Sequence, residues 1–303
     1  MKLGYVGVGS MGGALATRLC SSHQVDVFDL SATAVAKLEA EGAKGLPSAR
    51  DVGAANDIVF ICLQTSDQVR KAIFGENGIA AGMKPGGMIV DQTTGDAFQT
   101  RAMAAELEAM GIDLIDVPVS GGPQYAIAGT IALMAGGSDA QFARIKPVLE
   151  TISPNIFHCG PVGSGHVMKV TNNLLAASQR LLTFEVVALA VKNGLNPKTV
   201  VEAMLKGSGR NYVLDVTFQR HILPGKLHQG FTLGLMHKDV KLATKLAADS
   251  EVPLLIGGLV DEYYGAIIND LGADAEVNMA LRYIEDAAGA HVCPEGASAD
   301  PDA

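Results

Sequence analysis

The chain has 303 residues, 48% of them hydrophobic and 18% charged, with no Trp and a formal charge of −9. That length exceeds what one core usually fills, so two domains are expected, and the composition excludes large-scale disorder. The acidic balance and the scarcity of aromatic stacking platforms argue against partners such as nucleic acid or an anionic membrane, so any phosphate site has to be built locally.

The opening stretch, MKLGYVGVGSMGGALAT, has the outline of a signal peptide, but five glycines break its apolar run and the same residues read better as a strand and turn. No run reaches the roughly 18 apolar residues of a membrane-crossing helix, so a cytoplasmic location is expected. The four cysteines, Cys20, Cys62, Cys159 and Cys293, form no C-x-x-C pair and read as reduced and structural.

Up to about residue 160, short Val- and Ile-rich runs alternate with helical stretches. Strands are expected at 2–8, 25–29, 57–63, 87–91, 113–117, 130–135 and 155–159, and helices at 11–21, 32–41, 67–74, 97–110 and 139–149. This is the α/β pattern of a doubly wound parallel sheet, assigned to 1–161. Beyond Pro161 a segment with no Pro and no further Gly runs from 165 to 192, long enough for a helix of roughly 40 Å that joins two domains. Further helices are expected at 197–206, 211–222, 235–249, 253–271 and 277–288, so 162–290 reads as an all-helical C-terminal domain. The polar, unpatterned stretch 291–303 reads as a disordered tail.

Gly7-Val8-Gly9-Ser10-Met11-Gly12 follows a strand and opens a helix, which aims backbone amides and the positive helix end at a diphosphate. Gly7 allows the tight turn, Gly9 the approach of the phosphates, and Gly12 close packing of helix on strand. Asp29 closes the second strand 20 residues after Gly9, where its carboxylate accepts from ribose hydroxyls and repels a 2′-phosphate. No Arg or Lys lies between Asp29 and Val35, so NAD is favoured over NADP. The competing role for Asp29 is helix capping.

Three loops follow strands at the sheet's carboxyl edge: 62–65, 91–94 and 116–122. In the last, Gly121 and Gly122 expose successive amides beside the Ser120 hydroxyl, either a carboxylate cradle or a plain turn. In GSGHVMKVTNN, 163–173, Lys169 and Asn173 share one helical face. A desolvated Lys exchanges a proton with a substrate oxygen that Asn173 orients; the alternative is a packed stem with a solvated ammonium. Lys238, Lys241 and Lys245 pose the same choice, and the seven histidines show no metal-ligand spacing.

With the glycine turn, DVPVSGG, GSGHVMKVTNN and Lys238-Asp239 in this order, residues 2–288 resemble the β-hydroxyacid dehydrogenases of the 3-hydroxyisobutyrate dehydrogenase type. The resemblance implies a Rossmann domain followed by a helical domain that supports a homodimer or homotetramer. It implies Lys169 as catalytic acid/base, Asn173 as substrate-orienting, and Ser120, Gly121 and Gly122 on the substrate carboxylate. Leu63, Gln64, Thr94 and Lys238 would line the nicotinamide side of the cofactor. Gln64 and Thr93 stand where many relatives have Pro and Ser. Residues 207–212 and Phe231 are expected to shape the acyl end, with Arg210 either binding a second anionic group or lying at the surface. Competing readings are a 6-phosphogluconate dehydrogenase-like or imine reductase-like enzyme, or a non-catalytic dinucleotide-binding dimer.

Overall fold

A computed structural model describes residues 2–301 and divides into two compact units, Met1–Lys169 and Val170–Ala303. The first unit is built on nine strands. They are β1 (Leu3–Val6), β2 (Val25–Phe28), β3 (Lys44–Gly45), β4 (Ile58–Ile61), β5 (Met88–Asp91), β6 (Asp113–Asp116), β7 (Val119–Ser120), β8 (Ala132–Gly136) and β9 (Ile156–Gly160). The sheet order is β3-β2-β1-β4-β5-β6-β8-β7, with β9 also on β8. Every residue of β1, β4 and β5 is buried, as expected for strands covered on both faces. Alternating side chains divide between two cores: Tyr5, Phe60, Val90 and Ile115 on one face, and Val59, Ile89 and Leu114 on the other. The order reverses between β1 and β4, which creates a crevice at their carboxyl ends.

Eight helices complete this unit: α1 (Ser10–Cys20), α2 (Ala32–Ala40), α3 (Ala49–Ala55), α4 (Ser66–Phe74), α5 (Ile79–Gly82), α6 (Ala97–Glu108), α7 (Pro123–Ile127) and α8 (Asp139–Ile152). The sheet is not parallel throughout. β1 to β6 are parallel, but β8 runs antiparallel to β6 and β7. The link between β7 and β8 holds only the short α7 and is too brief for a parallel crossover, so the chain doubles back. Helices α3, α5 and α7 and the two-residue strands β3 and β7 are additions to the expected elements. In α3, a Cβ on Gly53 would lie 2.3 Å from the Ile79 carbonyl oxygen, so the glycine permits close packing on α5.

The second unit contains most of α9 (Ser164–Lys192), then α10 (Pro197–Lys206), a π-helix (Val213–Ile222), α11 (Leu233–Asp249), α12 (Leu255–Leu271), a 3-10 turn (Val277–Met279) and α13 (Ala280–Ala288). Gly194, at φ +91, ends α9, with the Leu195 amide returning to the Ala190 carbonyl. Phe184, Val201, Phe218, Val240, Tyr264 and Leu281 form the core. By length and hydropathy α9 passes for a membrane span, but Ala177, Leu181, Phe184 and Val187 on it belong to this core.

The compact units part between Lys169 and Val170, eight residues beyond the expected boundary of 161. The tail is also different from expectation. Val292 and Cys293 are buried and both donate their amides to Oε1 of Glu285, while Leu227 donates to the Ser298 carbonyl at 2.7 Å. Residues 291–301 therefore pack without regular structure, which hydrophobic periodicity cannot reveal; residues 302 and 303 lie outside the described residues. Glu285→Ala leaves two buried amides without an acceptor and is expected to lower stability by about 2 kcal/mol in denaturant unfolding, with faster proteolysis in 291–301.

Candidate active site

The amide of Gly7, at φ +85, donates to the Phe28 carbonyl at 2.9 Å and turns the chain from β1 into α1. A Cβ on Gly12 would lie 2.0 Å from the Gly7 carbonyl oxygen, whereas one on Gly9 meets nothing within 4 Å. The end of α1 has no side-chain cap, and among the described residues the amides of Gly9, Ser10, Met11 and Gly12 donate to no backbone carbonyl. Open space over uncapped amides at a helix's positive end suits a diphosphate, and the residues fit that group. Asp29 accepts from Val8 N through Oδ2 and from Ser31 N through Oδ1, both at 2.8 Å. The side-chain cap of α2 is Ser31, so Asp29 instead ties the end of β2 to the glycine turn.

The loops after β4 and β5 are cross-linked. Thr93 Oγ1 accepts from Leu63 N at 3.0 Å, and Thr93 N donates to Asp91 Oδ1 at 2.9 Å. Gln64 is exposed, its amide held by Gln68 Oε1, and Thr94 is half-buried at the end of the same loop. Burial pushes the Asp91 carboxyl above its usual range, with His166 and Thr93 partly opposing the shift. The ring of His166 is fully buried, its Nε2 2.9 Å from the Thr93 carbonyl and its Nδ1 2.9 Å from the Thr100 hydroxyl.

The start of α9 is held by Asp116, at the carboxyl end of β6. Its Oδ1 accepts from Gly163 N at 2.6 Å and its Oδ2 from His166 N at 2.7 Å. A carboxylate here satisfies orphan donors and complements the helix dipole. A Cβ on Gly165 would lie 2.2 Å from the Met134 carbonyl oxygen, and one on Gly136 2.4 Å from Asp116 Oδ1, so the close approach requires both glycines. Lys169 follows His166 by three residues and is only 8% exposed. Asn173 is one further turn along α9.

Ser120 ends β7, and Gly121 and Gly122 follow at φ +142 and +94. Neither glycine amide donates to a backbone carbonyl among the described residues, and Pro123 brings none, which leaves both available to a carboxylate. Within the second unit, Asn173 Nδ2 donates to Oδ2 of the buried Asp239 at 2.6 Å, and Lys238 Nζ lies 3.0 Å from Asp239 Oδ1. Asn173 and Lys238 thus share one carboxylate. Arg210 pairs with Asp215 at 3.1 Å on the surface, which favours the surface reading of that residue. Sequence reasoning missed the roles of Asp116 and Asp239; both lay inside motifs singled out, but a buried anchoring carboxylate has no spacing signature.

The first unit matches a sequence profile described as the NAD-binding domain of 6-phosphogluconate dehydrogenase over residues 2–160. Residues 163–284 match one described as NAD-binding of NADP-dependent 3-hydroxyisobutyrate dehydrogenase. The chain is 36% identical to 2-(hydroxymethyl)glutarate dehydrogenase of Eubacterium barkeri over 87% of this chain and 88% of that one. It is also 36% identical to 3-hydroxyisobutyrate dehydrogenase of Pseudomonas aeruginosa, over 85% and 89%. The chain belongs to the β-hydroxyacid dehydrogenase family. Among solved structures, Mycobacterium tuberculosis 3-hydroxyisobutyrate dehydrogenase with L-serine superposes at a TM-score of 0.85, with 29% identity, covering 93% of this chain and 98% of that one. An imine reductase from Myxococcus stipitatus, at 17% identity and a TM-score of 0.62 over 94% of this chain and 100% of that one, shares the fold alone.

As a β-hydroxyacid dehydrogenase the protein is an oxidoreductase that uses a nicotinamide dinucleotide. The Asp116 clamp is testable by Asp116→Asn, which can accept from only one of the two amides. A loss of about 1–3 kcal/mol in urea unfolding is expected. Activity is expected to fall as well, because the start of α9 loses its anchor.

Proposed function

We propose that the protein moves a hydride between NAD(H) and the hydroxyl or carbonyl carbon of a small 3-hydroxy acid or its semialdehyde, with Lys169 as general acid/base. The observation that carries this reading is the burial of Lys169 on the clamped end of α9, one turn before Asn173. In oxidation, neutral Lys169 takes the hydroxyl proton; in reduction its ammonium returns one to the carbonyl oxygen. Asn173, its amide turned by Asp239, orients that oxygen, and Ser120, Gly121 and Gly122 hold the carboxylate. Gly7 to Gly12 hold the diphosphate, and Asp29 the adenosine ribose. Leu63, Gln64, Thr94 and Lys238 line the nicotinamide side. When bound, the cofactor supplies the hydride donor or acceptor.

Asp29 and the absence of a nearby cation support NAD over NADP. The relatives 3-hydroxyisobutyrate dehydrogenase of Pseudomonas aeruginosa and 2-hydroxy-3-oxopropionate reductase of Escherichia coli support the substrate class. The four cysteines are free, in keeping with the expected cytoplasmic location. The test is nicotinamide absorbance with 3-hydroxy acids and NAD+ or NADP+. Turnover is expected to favour NAD+ and to fall about 10²- to 10⁴-fold in Lys169→Ala, with NADH binding retained. Full turnover in that variant rules out the assigned role.

A homodimer or homotetramer completes the proposal. Met168, Leu175, Leu182 and Leu189 recur every seven residues along α9 and are all exposed, and α12 exposes Leu255, Ile256 and Leu259. A stripe of this kind on a helix whose other face is core suits a second copy of the chain. Leu182→Glu with Leu189→Glu is expected to shift the protein to monomers in light scattering after gel filtration.

A further inference from the structure

The core of the second unit encloses a cation without a counter-charge. Arg180, on α9, is 5% exposed and lies seven residues beyond Asn173 on the same helical face. Its Nη1 donates to Oδ1 of Asn278, and its Nη2 reaches Oε1 of Gln229 at 3.5 Å. Its Nε is buried and has no hydrogen-bond partner, and its Cζ lies 5.9 Å from the centroid of the Phe184 ring. Among the described residues no carboxylate is in salt-bridge range of it. By contrast Arg70, Arg144, Arg210 and Arg282, all more exposed, each pair with an acid. A buried guanidinium that faces only amide oxygens and rings is poorly compensated, and an apolar side chain of similar volume would fill the same core at lower cost.

We propose that Arg180 binds the distal carboxylate of the substrate, so that this enzyme is specialised for hydroxy acids bearing a second acidic group. The proposal rests on the reading of Asn173 as the residue that orients the reacting oxygen. Two helical turns separate Asn173 from Arg180, about 10 Å along the axis, and long helical side chains lean toward the N-terminus. A substrate that reaches both residues therefore needs a chain of several carbons. The long Gln229 contact is the one a carboxylate displaces, exchanging a neutral oxygen for a charge-assisted pair. Gln229 belongs to a loop whose backbone is held by Glu276, which accepts from Gln229 N at 2.9 Å and Gly230 N at 3.1 Å, so its side chain can swing while the loop stays in place. A single guanidinium balances a carboxylate; a phosphate dianion would leave surplus charge in the core.

The test needs no turnover. Glutarate, an inert diacid, and butyrate, its monoacid counterpart, are titrated into the full chain by thermal shift and calorimetry, in wild type, Arg180→Met and Arg180→Lys. Glutarate is expected to bind wild type about tenfold or more tightly than butyrate, with the ratio collapsing in Arg180→Met and falling partway in Arg180→Lys. Equal binding of the two acids by wild type overturns the proposal, as does a folded Arg180→Met that keeps the preference. Should Arg180→Met fail to fold, the wild-type ratio and Arg180→Lys decide. Failure of every hydroxy acid to turn over counts against the catalytic reading alone, since the glutarate comparison reads binding directly.

Discussion

One buried carboxylate sets the position of the helix that carries the proposed catalytic lysine. Asp116 lies at the end of a sheet strand and takes two amides from the start of α9, and it does so only because positions 136 and 165 carry no side chain. Amides at a helix start are normally left to water or to a neighbouring Ser, Thr or Asp. Here the acceptor comes from 47 residues earlier in the chain, so the helix takes its origin from the sheet and not from its own sequence. Whatever stands on its first turns inherits that origin, His166 and Lys169 included.

His166 carries the constraint sideways. Its ring meets the carbonyl of Thr93, whose hydroxyl in turn accepts from Leu63 and whose amide donates to Asp91. The loops after two neighbouring strands and the first turn of α9 are therefore hydrogen-bonded to one another. Catalysis that depends on orientation gains from such cross-linking, because a reacting group displaced by even an ångström loses much of its advantage. Asp239 does for Asn173 and Lys238 what Asp116 does for the helix: one buried acid fixes two groups.

Much of this was legible in the sequence. The glycine turn, Asp29 and the run of buried strands carry strong local signals, and the elements fall within a few residues of where periodicity puts them. The antiparallel return at β8 was not legible, because a buried strand has the same composition in either direction and only the brevity of α7 gives the direction away. The ordered stretch 291–301 escaped because its order comes from Glu285 and the 225–227 backbone, contacts with no periodic trace. The task of Gly165 in GSGH, allowing Asp116 to approach, escaped as well because it is shared with Gly136, which is far away in sequence. Arg180 carries no sequence signal at all; only burial distinguishes it.

In the role proposed for it at the ribose, Asp29 couples two properties that evolution would otherwise tune separately. Both of its oxygens are engaged by backbone amides, Val8 N in the glycine turn and Ser31 N at the head of α2. Any substitution that removes this negative charge also loosens or removes the fastening of the glycine turn. An asparagine keeps one fastening and sets an amide against the other donor; a smaller residue keeps neither. If the preference proposed for NAD holds, it is protected by architecture as well as by affinity, and changing it calls for a second substitution that re-ties the turn.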